Sequence, residues 1–387
     1  MKIFKNAVSI AIAALFTFSV ILSSFTVTAK TEQTYVSADQ FRSSEKIFFQ
    51  DADRIVDNCK FHVIQQFAFT NDNKYIFATQ EATPEPYNKK NPVHTGLTMF
   101  KMSPDGVTAR KTNSVILKNY GHGEAVSVTT PDNKKNIHYV WVISGANKKT
   151  FGTTITRLTC KIIHDKFKIT DRITINKLNH SIVKYKKIKK KVKKKKITKK
   201  VRIAKKFPYA FERAGVGVNQ ASNRIAFRVC FKPGQGCNYV IYNYKKLNAE
   251  LDKALKKKRH IYSLNKAKNF QYANVRTSLK PTTGVTGAFQ SFDLNDKCLF
   301  IAGNHQKMQG KYPIGIYKIP YKTTITEIRK NEMSHIAHNI QIEAPKFAEM
   351  EGLKAVQKDN KTTFYFNTFP GYVPLMNSQS IHILEVF

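Results

Sequence analysis

The sequence predicts an all-β fold, a β-propeller of five blades in a single domain, and three observations predict it. An apolar strand-like segment, a short turn rich in Asp and Asn, and a strongly β-prone segment recur five times along the 387 residues. The recurrences are almost evenly spaced once one insertion is set aside. Helical periodicity is confined to one short stretch.

The first copy is QQFAFTNDNKYIFATQ from Gln65, the second EAVSVTTPDNKKNIHYVWVIS from Glu124, and the third AGVGVNQASNRIAFRVCF from Ala214. The fourth is AFQSFDLNDKCLFIAGNHQ from Ala288 and the fifth EGLKAVQKDNKTTFYFNTF from Glu351. Asp and Asn suit such turns because their side chains cap local backbone groups and tolerate left-handed conformations. The flanking Val, Ile, Phe and Tyr pack well on a pleated surface. The turn markers Asn73, Asn133, Asn223, Asn295 and Asn360 lie 60, 90, 72 and 65 residues apart. Removing a 23-residue lysine-rich run from the long interval brings it to 67. A unit of this length holds a hairpin and further strands, as a propeller blade requires. TTITRLTCKI (Thr153–Ile162), CNYVIYNY (Cys237–Tyr244) and IGIYKIPY (Ile314–Tyr321) read as the outer strands. A small sheet cannot bury both faces alone, and radial packing of blades solves that, which favours one domain over two. A sandwich or solenoid is the alternative. The stretch YNYKKLNAELDKALKKK places Leu247, Leu251, Ala254 and Leu255 at helical spacing with Asn243 as cap, a connection packed on a blade edge.

The chain opens with Lys2 and Lys5, an apolar stretch from Ala7 to Leu22 and the small-residue pattern Val27-Thr28-Ala29. That is the pattern of a secretory signal peptide over residues 1–29, with an uncleaved anchor as the alternative. The expectation is a secreted protein of residues 30–387. Residues 30–387 carry 63 basic side chains against 26 acidic, a formal net charge of +37. Such an excess attracts polyanions. For an exported protein these are bacterial cell-wall polymers or the anionic membrane of target cells, with nucleic acid bound only non-specifically.

The charge is concentrated in Lys184–Lys206, KYKKIKKKVKKKKITKKVRIAKK, which holds 15 basic residues and no acidic one. Its anionic-surface contacts are expected from Lys186, Lys187, Lys189, Lys190, Lys191, Lys193, Lys194, Lys195, Lys196, Lys199, Lys200 and Arg202. A helical stripe of Tyr185, Ile188, Val192, Ile197 and Val201 slips by one residue, and lysines four apart repel. The run is therefore expected as a mobile or extended basic loop inserted at 184–206, able to become an amphipathic helix or ribbon on an anionic surface. Without it 50 basic residues still face 26 acidic ones.

Five cysteines do not make a disulfide scaffold in a chain this long. Cys230 and Cys237 flank FKPGQG and could bridge across a hairpin if their Cα atoms come within about 7 Å, or remain separate buried thiols. No cofactor or metal is expected, since neither zinc spacing nor a phosphate loop is present. A nucleophile elbow is also missing. Asp293 and Asn295 in FDLNDK lack the rest of a calcium loop and read as a turn. His122 and Glu124 in YGHGEAV, Glu212 and Arg213 in FERAG, Gln290, and Glu351 in AEMEG precede or open repeat strands at similar places. They are the expected ligand contacts at a propeller rim, a carbohydrate being one candidate ligand. The alternative is that they cap strand ends and pair with Lys and Arg. A pair of carboxylates there could run glycoside hydrolysis, but nothing fixes their separation. Trp141 in HYVWVIS reads as core.

The segments GHGEAVSV, FERAGVGV followed by SNRIAFRV, VIYNYKKLNAELDKAL, AFQSFDLNDKCLFIAG, YKIPY and EMEGLKAV, in this order over roughly Cys59–Phe387, resemble the helveticin J family of large, heat-labile bacteriocins. The resemblance implies an exported β-propeller that kills related bacteria, with no enzymatic activity. It transfers no catalytic residues. The lysine run and the export signal depart from the family pattern. The expected function is thus a secreted bacteriocin binding the anionic envelope and killing non-enzymatically. The alternative is an exported wall-associated lectin or adhesin for anionic wall polymers or glycans, and behind it a murein-degrading enzyme.

Overall fold

The structure, a computed structural model, describes residues 32–52, 55–86, 93–132, 134–192, 195–231, 236–277, 288–304, 314–321, 326–328, 338–344, 348–358, 361–370 and 379–386. The expected signal peptide at 1–29, the markers Asn133 and Asn360, and Lys193 and Lys194 lie outside the described residues.

The chain starts with β1 (Glu32–Val36), helix α1 (Ala38–Ser43), β2 (Glu45–Gln50) and β3 (Ile55–Val56). A first antiparallel unit follows, β4 (Cys59–Phe69), β5 (Tyr75–Pro84), β6 (His94–Met102) and β7 (Thr108–Leu117), then a second, β8 (Val126–Thr129), β9 (Ile137–Ala146), β10 (Gly152–Ile163) and β11 (Lys166–Asn176). Strands β12 (Ile182–Val192) and β13 (Lys195–Lys205) stand apart as a sheet of two. The third unit is β14 (Phe211–Asn219), β15 (Arg224–Phe231), β16 (Cys237–Asn243) and β18 (Gln271–Thr277). Helix α2 (Tyr244–Lys256), β17 (Ile261–Ser263) and a 3-10 turn (Leu264–Phe270) are inserted before its last strand. The fourth unit is β19 (Ala288–Leu294), β20 (Cys298–Asn304), β21 (Ile314–Pro320) and β23 (His338–Ile342), with β22 (Thr326–Ile328) inserted. The last is β24 (Ala348–Lys358), β25 (Lys361–Pro370) and β26 (Ser380–Val386), completed by β2 from the other end of the chain.

The fold is an all-β propeller. The first strands β4, β8, β14, β19 and β24 touch their neighbours in cyclic order, β24 returning to β4. Five hydrophobic clusters each fill the space between two consecutive units. Val140 and Leu158 meet Phe77 and Met99, and Trp141 and Ile155 meet Val216 and Phe227. Tyr239 and Ile241 meet Leu299 and Ile319, and Phe300 and Ile316 meet Leu353 and Phe364. Ile47 and Ile381 meet Ile64 and Ile76, closing the circle. Each sheet thus buries both faces only because it has two neighbours. Outer edges are covered by parallel strands: β17 pairs with β11, β22 with β18, β1 with β23 and β2 with β7. Covered edges do not offer unpaired backbone groups to another chain.

Trp141 is fully buried, its indole N–H donating to Thr129 Oγ1 at 3.2 Å, as a core residue requires. The expected helix forms over Tyr244–Lys256, and Asn243 Oδ1 accepts from Lys246 N at 2.9 Å as its cap. Leu247 and Leu251 are buried, and Arg157, 1% exposed, clamps the helix by donating to Asn248 and to Asp252 Oδ1 at 2.6 Å. Asn295 Oδ1 accepts from Lys297 N and Cys298 N, the turn expected in place of a calcium loop. The segments read as outer strands, β10, β16 and β21, are third strands, since β11, β18 and β23 pair outside them.

The basic loop expected at 184–206 is corrected. Ile182–Val192 and Lys195–Lys205 pair over their full length as an antiparallel ribbon, from Ile182 opposite Lys205 to Val192 opposite Lys195. The helix test failed on the slip of the apolar residues, but β-branched Ile and Val favour strands. Folding back also sets lysine against aliphatic. Ile182 faces Lys205, Lys184 faces Ile203, Lys186 faces Val201, Ile188 faces Lys199, Lys190 faces Ile197 and Val192 faces Lys195. Only Lys187–Lys200 and Lys191–Lys196 oppose like charges, at a cost of a few tenths of a kcal/mol each. The base is held by Ile182 against the core between the second and third units. Arg202 adds to this, its Nε donating to Tyr185 Oη at 3.1 Å and its Nη1 to Gln271 O at 3.4 Å.

Candidate functional site

The segment Gly121-His122-Gly123-Glu124 leads into β8. Both glycines have left-handed backbones, φ +86° and +83°, a conformation that side chains rarely adopt. Thr95 Oγ1 donates to Gly121 O and Thr79 Oγ1 to Gly123 O, each at 2.6 Å, so the first unit fixes a loop belonging to the second. A Cβ on Gly123 would lie 3.1 Å from Thr95 Cγ2, and one on Gly121 would strike Thr150 O. His122 is thereby held with its Nδ1 3.7 Å from Glu81 Oε2, while its Nε2 hydrogen-bonds the Thr150 hydroxyl. The His122 imidazole beside it holds the Glu81 carboxyl below its usual range, against the opposing effect of burial.

Two residues further on, Glu124 receives both arms of Arg213 at the start of β14, with Nε donating to Oε2 at 2.5 Å and Nη2 to Oε1. The two side chains are 13% and 27% exposed, so the pair lies in the wall of the rim rather than in open water. The guanidinium also lies over the Phe151 ring at 4.1 Å, and the other side of the cluster is the His122 ring, 5.6 Å from Phe151. Burial above all, and then the charge of Arg228, pull the Arg213 pKa down to about 9, while Glu351 opposes them. At neutral pH it stays charged. Arg228 on β15 is itself buried, opposite Gly215 on β14. Glu212 is engaged outward, its Oε1 accepting from Lys149 Nζ at 2.6 Å and its carbonyl from Asn147 Nδ2 at 2.8 Å.

His122, Glu124, Arg213 and Glu351 are therefore brought together where the inner strands begin, while the Glu212 side chain turns from them to Lys149. Gln290, partly buried, occupies the equivalent place on β19. Lys186, Lys187 and Lys200 are exposed on the ribbon, and Arg202 is half-buried at its base. For Lys189, Lys190, Lys191, Lys195, Lys196 and Lys199 only the strand pairing is described. Cys230 and Cys237 form a disulfide across the β15–β16 register with Cα atoms 4.1 Å apart. Cys59, Cys160 and Cys298 are buried free thiols. Sequence reading missed Glu81, near the end of β5, and Lys149, Thr150 and Phe151, which come from the turn between β9 and β10. The fragment NKKTFG between two strong strands was the available signal. Among the described residues no group of three His, Cys, Asp or Glu side chains could hold a metal ion.

At the opposite ends of the inner strands the Asn-rich turns surround an open concavity of about 1250 Å³. Asn71, Gln220, Asn295, Asp296, Lys354 and Tyr365 line it. Its floor is tied together across units, Gln220 Nε2 donating to Thr130 O at 2.6 Å and Lys354 Nζ reaching Asp293 Oδ2 at 2.9 Å.

No family model and no curated protein matches the chain. Among solved structures it is similar to the tail fiber of Staphylococcus aureus phage P68, with 10% identity and a TM-score of 0.46 over 90% of this chain and 54% of that one. The chain thus spans about half the length of that fiber. It is also similar to the parainfluenza virus 5 hemagglutinin-neuraminidase ectodomain, with 7% identity, TM-score 0.38, and 99% and 94% coverage. A third is Trypanosoma rangeli sialidase in complex with the inhibitor DANA, with 7% identity, TM-score 0.36, and 87% and 47% coverage. The expectation of no enzymatic activity is corrected by these comparisons, because the similar structures are mostly enzymes. Beside the sialidase they include a Bombyx mori β-fructofuranosidase, a Bacillus subtilis levansucrase and glucose dehydrogenase. At such identity the likeness concerns the fold.

Proposed function

We propose that this chain is a secreted antibacterial protein of the helveticin J type that binds the anionic envelope of related bacteria, its propeller counted as five blades. The observation that carries the reading is the lysine ribbon, a sheet of its own on a chain of net charge +39. Because β12 and β13 pair with no other strand among the described residues, the ribbon beyond its base at Ile182 and Arg202 is free to meet a polyanion without disturbing the ring. Six residues, 206–211, connect it to Glu212 and Arg213, so a surface gripped by the ribbon lies near the rim cluster. Wall polymers and anionic membrane are the partners this charge selects, and nucleic acid is bound only through its phosphates.

The amide-lined concavity favours a second reading, a wall-associated lectin or adhesin that holds glycans. Amide and carboxylate groups beside Tyr365 are the side chains that bind sugar hydroxyls and stack on sugar rings. Purified protein tested for zones of inhibition and dye release on a broad panel of related bacteria separates the two. Killing is expected, and binding without killing on every strain transfers the case to the lectin. Release of soluble fragments from sacculi reports whether a hydrolytic step accompanies binding.

A further inference from the structure

Alternation along a strand sends successive residues to opposite faces, so the register of the ribbon sorts its residues into two sets. On one face every cross-strand pair joins one aliphatic residue to one lysine, six pairs in all from Ile182–Lys205 to Val192–Lys195. On the other face, beyond Tyr185–Arg202, the pairs are Lys187–Lys200, Lys189–Thr198 and Lys191–Lys196, with no aliphatic residue. Strand propensity alone does not produce this separation, since a β-branched residue favours a strand from either face. A ribbon made only to grip a soluble polyanion has no use for a face studded with Ile and Val.

We propose that the mixed face of β12–β13 inserts into an anionic lipid bilayer, which deepens and rests on the envelope-binding reading above. Beyond Ile182, which packs on the propeller core, the aliphatic side chains enter the acyl boundary, and the lysine opposite each reaches a lipid phosphate. Cross-strand partners stand about 5 Å apart, within the span over which a lysine extends its stem along apolar surface and keeps its ammonium at the headgroups. The all-cationic face stays in water and adds attraction to the surface. Eleven residues per strand give the ribbon a reach of about 36 Å, enough to lie along the interface clear of the propeller.

The test places a tryptophan on either face of the full-length protein, I197W on the mixed face and T198W on the other. Trp141, fully buried, supplies a constant background. Vesicles of phosphatidylglycerol and phosphatidylcholine are used with and without bromine on the acyl chains. Quenching of about two-fold or more is expected for I197W and little for T198W, with a blue shift only in the former. The pair I188W and K189W repeats the comparison on the other strand. Equal quenching on both faces, or none while the protein still sediments with the vesicles, overturns insertion and leaves envelope binding standing. Binding to purified wall polymer but not to these vesicles also overturns it. Binding to neither removes the envelope reading as well.

Discussion

Arg213→Met removes the guanidinium that closes the rim while keeping a long side chain over Phe151. It leaves Glu124, 13% exposed, without its bidentate partner. Exposed pairs are worth about 0.2–1 kcal/mol and removal of one member of a fully buried pair costs about 3–5 kcal/mol. With side chains 13% and 27% exposed, the expected loss is about 2 kcal/mol, or a fall in Tm of about 2.5 °C for a chain of this size. Glu124→Gln keeps one acceptor for Arg213 and should cost about 1 kcal/mol. The double variant Glu124→Gln with Arg213→Met removes both charges, and its loss should fall short of the summed losses of those two single changes by at least about 1 kcal/mol. Urea denaturation of the three variants measures that coupling. A coupling below about 0.5 kcal/mol would refute the reasoning, because Glu124 would then be a carboxylate at liberty rather than a strut between the second and third units.

Replacing Cys230 and Cys237 by Ser opens an eight-residue loop and should cost about 2.5 kcal/mol from chain entropy; scanning calorimetry should then find the variant indifferent to reductant, unlike the parent. Gly352→Ala puts a Cβ 2.5 Å from both Asn367 Oδ1 and Gln66 Oε1, which accept the amides of Gly352 and Leu353. A loss above about 2 kcal/mol is expected, and a value near zero in denaturant titration would contradict that packing. His382 is stacked on Phe41 with centroids 4.4 Å apart, and burial, with a smaller contribution from Lys46, lowers its pKa from 6.5 to about 4. The folded state therefore refuses a proton that the unfolded chain accepts, so stability falls as pH drops from about 6.5 to about 4, by about 3 kcal/mol in total. His382→Gln should lessen the slope of stability against pH by about 1.4 kcal/mol per unit near pH 5, and an unchanged slope counts against the assignment.

The propeller was legible because its cause is local. The Asn-rich turn Thr70–Tyr75 is closed by its own side chains, Asp72 Oδ1 accepting from Thr70 Oγ1 at 2.6 Å and from Lys74 N at 3.1 Å, so the repeat can be read along the chain. The rim cluster was half legible. Glu124 and Arg213 stand at matching places in their repeats, but that they bind each other across 89 residues depends on the ring having closed. Phe151, in the β9–β10 turn, and Glu81, near the end of β5, were missed because neither belongs to the repeat motif. The lysine run misled for a different reason. Its amphipathicity belongs to pairs such as Ile188 and Lys199, contributed by two strands, and neither strand alone shows the period of a helix or a clean alternation.

β2 unites the two ends of the described chain, lying beside β26 and, on its other side, parallel to β7. In a chain delivered from its N-terminal end, β2 precedes β26. Until 380–386 arrive, β2 is held on one side only, by β7, and the apolar faces that Ile381 covers stay open. Resistance to protease should then arise in one step when 380–386 dock rather than unit by unit. By the same logic, clipping β26 undoes the whole ring, not a single petal of it.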